Sequence, residues 1–65
     1  MADLILTPNI EKADDFYAEL LAAHDHMAKV DSDALNARLV LVLANHIGDN
    51  AVLAQAIDAA RLKTT

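Results

Sequence analysis

The chain has 65 residues, 55% of them apolar and 3% aromatic, with no cysteine and a formal charge of −5. That length allows one domain, and a domain so small buries only about 60% of its unfolded surface, so a disulfide, a metal or a partner usually supports it. With no cysteine, disulfides and cysteine-based zinc sites are excluded. Five scattered Lys and Arg against ten Asp and Glu also exclude the basic patch that nucleic acid or an anionic membrane wants.

Residues 1–10 read as an extended N-terminal arm. Leu4, Ile5 and Leu6 are apolar, and Pro8 disfavours helix at Thr7. A lone strand is unstable in water, so the arm is expected to lie across the helices as a lid, ahead of pairing with a partner. The start MADLILTP lacks the basic residues and long apolar region of a secretory signal. The run Leu39 to Ala44 is far below the roughly 20 apolar residues that span a bilayer. The expectation is a cytoplasmic protein.

Residues 11–65 read as a single three-helix domain. Helix one is expected from about Ala13 to Ala28, with Phe16, Leu20, Ala23 and Met27 sharing a face. Tyr17, Leu21 and His24 lie beside that face. Glu11, Asp15 and Glu19 fall opposite, and acids in the first turns suit the helix dipole. One of Asp31, Ser32 and Asp33 is expected to cap helix two. Gly48 marks its carboxyl end as a left-handed residue. Asp49 or Asn50 then caps helix three, which is expected to reach Leu62. Short links favour antiparallel neighbours, so the predicted fold is an all-α, three-helix antiparallel arrangement with an extended arm.

Helix two is the unusual element. From Ala34 to Ile47 it reads ALNARLVLVLANHI, apolar on nearly every side, with Arg38 and Asn45 as a narrow polar strip. A helix apolar all round must be buried all round. Two neighbouring stripes and a short arm do not suffice, and each exposed Leu or Val forgoes about 1.5–3 kcal/mol of burial. Assembly is the expected remedy, with a twofold dimer as the commonest closed form. The predicted interface is Leu39, Val40, Leu41 and Leu43, with Arg38, Asn45 and His46 setting orientation.

Catalytic equipment is sparse. His24 and His26 point about 200° apart on a helix, and no metal-ligand spacing is present, so neither metal nor cofactor is expected. His26 reads as solvated; His24 and His46 read as hydrogen-bonded, partly buried imidazoles. Asn36 falls inside the apolar arc and reads as a structural contact. Glu11, Asp15 and Glu19 lie on a convex face, whereas acid–base work needs a cleft and split pKa values. Ser32, the only serine, sits where a helix cap belongs. Asp31-Ser32-Asp33 only echoes an acyl-carrier motif, since an apolar residue follows the serine in that family.

The blocks DFYAELLAAH (Asp15 to His24) and LNARLVLVLANHIGD (Leu35 to Asp49) resemble a small family of uncharacterised proteobacterial proteins, a domain of unknown function. The resemblance covers about residues 4–60, including the Leu-x-Leu-x-Pro-like arm. Lys12-Ala13 stands where the family has Asp-Pro at the start of helix one. The resemblance carries over no functional residues. It implies gene neighbourhoods with flavin-dependent aromatic hydroxylases, and hence an accessory role beside such an enzyme.

The function expected from these features is a non-enzymatic interaction or accessory protein. It would form a homo-oligomer, a dimer first, or dock on a larger oxidoreductase. No nucleic-acid or membrane partner is expected. The alternative is a small helix-turn-helix regulator built on helices two and three.

Overall fold

The computed structural model describes residues 3–61. It contains three helices, α1 (Ala13–Ala23), α2 (Lys29–Ile47) and α3 (Asn50–Ala60), and no strand among the described residues. The all-α expectation holds.

Helix α1 ends five residues before the expected Ala28. Its last turn gives way to a tight link, with Met27 N–H donating to the His24 carbonyl at 3.1 Å. Within that link His26 takes φ 61°, the left-handed region that a histidine tolerates better than a β-branched residue. This single backbone reversal redirects the chain.

Helix α2 begins earlier than expected. Ala28 is its N-cap, and no side chain caps it. Asp31, Ser32 and Asp33 therefore lie inside the first turns rather than at the cap. Asp31 still meets the positive end of the helix dipole. The Lys29 ammonium donates to the Asp33 carboxylate one turn on, at 2.7 Å, an exposed pair of little energetic weight.

The α2–α3 corner follows the expected chemistry. Gly48 has φ 68°, and its N–H donates to the Ala44 carbonyl at 2.9 Å. Asp49 is the α3 N-cap. One carboxylate oxygen accepts from the N–H groups of Ala51 at 2.9 Å and Val52 at 3.2 Å. The two-residue link brings α3 back beside α2. They are the only helices whose backbones approach within 8 Å among the described residues.

The arm was expected to lie across the helices. Its attachment is to α3, where the Leu4 N–H donates to the Gln55 side-chain oxygen at 3.1 Å. Leu4 is half-buried, while Ile5 and Leu6 are 58% and 77% exposed.

The result is an open chain with almost no interior. Val52 is the one buried residue among those described. The accessible surface is 5930 Å², where a compact monomer of 7.0 kDa exposes about 4,000 Å². The radius of gyration is 13.9 Å, against about 11 Å for a compact domain of 65 residues. Both departures say that the helices leave their apolar faces open.

Candidate interaction surface

At about 100° per residue, the apolar residues of α2 divide among several faces. Val40, Leu43, Ala44 and Ile47 look toward one side. There they meet Leu53, Ala56, Ile57 and Ala60 of α3 across an open groove of ≈ 400 Å³. Val40, Leu43, Ile47 and Ile57 all remain exposed, so the groove is open to water.

The predicted interface residues do not form one surface. Val40 and Leu43 line the groove. Leu41 lies about 100° round the helix from Val40 and is 70% exposed. Arg38 and Asn45, both exposed, fall on Leu41's side and away from the groove. Leu39 is half-buried, one turn before Leu43 on the same flank but outside the groove lining, with His46 beside it. His46 is exposed rather than partly buried. The reason is geometric: five positions taken from a run of six must spread round a 3.6-residue turn.

The groove also takes in Ile47 and four residues of α3 that are not among the predicted interface residues. Their signal was present as spacing. Val40, Leu43 and Ile47 are separated by three and four residues, and Leu53, Ile57 and Ala60 by four and three. Each set makes a straight apolar seam along its helix. The spacing within α2 does not by itself show that one of its seams runs beside a seam of α3.

A polar cluster ties the end of α1 to α2. The Asn36 side-chain oxygen accepts from His24 Nε2–H at 3.1 Å. An amide oxygen can only accept, so in a neutral ring Nδ1 carries no proton. Nδ1 then accepts from the hydroxyl of Ser32. Ser32 and Asn36 are four residues apart on α2 and hence on one face. His24 and Ser32 are half-buried and Asn36 is exposed. His24 is thus hydrogen-bonded as expected, and Asn36 is a contact within the chain. His26, whose side chain is 93% exposed, is solvated as expected.

The cluster has the connectivity of a nucleophile, a base and an orienting group. An acyl-transfer site also needs donors for the developing oxyanion. The Ser32 N–H is already bonded to the Ala28 carbonyl at 3.0 Å, and the Asp31 N–H to the same oxygen at 3.1 Å. The cluster joins the end of α1 to α2.

No helix among the described residues is long and apolar enough to cross a membrane. No curated protein shows significant similarity to the chain, and no solved structure does. A family model described as "Protein of unknown function (DUF2783)" matches residues 4–62. The open helical chain, with its groove and its His24 bridge, belongs to that family.

Proposed function

We propose that the protein is a small non-enzymatic interaction protein. It self-associates or docks as an accessory subunit on a larger enzyme through the apolar surface of α2. One observation carries this reading: the four consecutive side chains Val40, Leu41, Val42 and Leu43 are 63%, 70%, 64% and 48% exposed. Of the exposed residues, Val40 and Leu43 join Ile47 and Ile57 in one contiguous apolar surface, which on a small chain marks an interaction site, and full burial of each such side chain contributes about 1.5–3 kcal/mol.

The larger enzyme suggested by the family resemblance is a flavin-dependent aromatic hydroxylase. A helix-turn-helix reading has less support. Helix α3, as NAVLAQAIDAA, carries no Lys or Arg for phosphate contact and places Asp58 where a groove-facing helix wants cations.

Light scattering on a sizing column, over a dilution series and with the hydroxylase added, tests the reading. The expected outcome is a self-associated species, or co-elution with the enzyme, that Val40→Asp weakens by burying an unpaired charge. A helical monomer at every concentration, indifferent to the hydroxylase, overturns it.

A further inference from the structure

We propose that the α2–α3 groove is closed by the same groove of a second copy of this chain, in a twofold pairing centred on Leu43. The proposal rests on the interaction reading above and specifies its face, partner and symmetry.

Three observations point to a copy. The first is the pair of seams. Val40, Leu43 and Ile47 on α2 run beside Leu53, Ile57 and Ala60 on α3, and all six line one opening. Their three-and-four spacing is that of helices packed in a left-handed bundle. Two adjacent helices, each turning such a seam to the same opening, make half of a four-helix bundle. The alanines Ala44 and Ala56 supply recesses between the larger side chains.

The second is charge. None of the residues lining the groove is charged, although the chain carries −5. Asp14 and Asp15 lie in the first turn of α1, outside the lining. A partner recognised through charge finds none here, whereas a copy offers a matching uncharged face. The opposite side of α2 is less suitable. A twofold contact there would remove Arg38 from water beside its own symmetry mate, at a cost in desolvation.

The third is area. The surface of 5930 Å² exceeds that of a compact monomer by roughly 1,900 Å². Obligate dimers bury about 2,000–5,000 Å² in total, or about 1,000–2,500 Å² per chain. The excess is of that size for the chain as a whole, shared among the arm, α1 and the outer side of α2 as well as the groove. A twofold axis also closes the assembly at two chains, because the same patch meets itself. With antiparallel α2 helices, Leu43 meets the partner's Leu43, and Val40 and Ile47 lie one turn to either side of that contact.

The sequence has no cysteine, so an introduced thiol is unambiguous. Leu43→Cys and Leu41→Cys proteins are oxidised mildly and compared on a non-reducing gel. A disulfide requires Cα atoms about 4.4–6.8 Å apart. The expected result is a covalent dimer as the main species for Leu43→Cys and only a collisional background for Leu41→Cys. By light scattering, the wild type should have twice the chain mass. Leu43→Asp should lose that dimer and Leu41→Asp should keep it. If Leu43→Asp does not fold, the cysteine pair decides alone. Cross-linking through Leu41 at least as strong as through Leu43 overturns this pairing, yet leaves α2 as an interface. A folded wild-type monomer overturns the second copy, and the broader reading then rests on co-elution with the hydroxylase.

Discussion

At the α2–α3 corner, Gly48 supplies the left-handed backbone and Asp49 caps the next helix through two N–H groups. At the α1–α2 corner, Ala28 offers no side-chain cap, and a histidine occupies the left-handed position. The chain holds this second corner through His24, which bridges to Ser32 and Asn36 eight and twelve residues away. The first corner is closed by neighbours in sequence. The second depends on side chains that the fold must first bring together. A corner of the first kind forms as soon as its helices do, whereas one of the second kind opens once its bridge is lost.

The comparison can be broken by substitution, with stability measured at one fixed protein concentration so that assembly does not shift the result. The largest effect is expected for Gly48→Val. The nearest atom to a new Cβ is the Asn45 carbonyl oxygen at 3.7 Å, ordinary contact, so the cost is conformational. A β-branched residue held at positive φ should lose about 2–3 kcal/mol in denaturant unfolding. A loss under 0.5 kcal/mol would mean that this corner is not locally determined.

His24→Ala should cost about 1–2 kcal/mol, from two hydrogen bonds worth about 0.5–1.5 kcal/mol each net. Its signature is regional. Amide exchange should accelerate across α1 and stay unchanged in α3. Equal acceleration in both would show that the two corners are one cooperative unit.

Asp49→Ala should cost about 1 kcal/mol, and Asp49→Asn should restore most of it, because either side chain can cap α3. Loss of stability in Asp49→Asn equal to that in Asp49→Ala would assign Asp49 a role beyond capping. The smallest expected effect is a gain. Ala28→Ser places a capping oxygen where α2 has none and should stabilise by about 0.5–1 kcal/mol in thermal unfolding. No gain there, with a loss for Asp31→Ala, would move the effective start of α2 to the acidic residues.

The parts that were legible in the sequence are those governed by local rules. Gly48 followed by Asp49 marked the end of one helix and the start of the next, and the structure places both as expected. The start of α2 was misplaced because Asp31, Ser32 and Asp33 resemble a cap, although the helix begins before them. The apolar excess of α2 was legible in composition and its direction was not. The run around Val40 to Leu43 announced unsatisfied apolar surface, but a consecutive run cannot say which of its faces another helix leaves open. Ile47, Leu53 and Ile57 became part of the candidate site only when the corner at Gly48 set α3 alongside α2.

By itself, the sequence determined that the chain is helical, that its last two helices turn at Gly48, and that α2 carries more apolar surface than so short a chain can cover. These follow from periodicity, backbone freedom and the surface-to-volume limit, all properties of short segments or of length. The tertiary structure decided which seam of α2 lines a groove, that His24 ties α1 to Ser32 and Asn36, and that Leu41 and Arg38 look away from the groove. Those depend on the rotation of one helix relative to another. That rotation is set by contacts between distant residues, which no local pattern encodes.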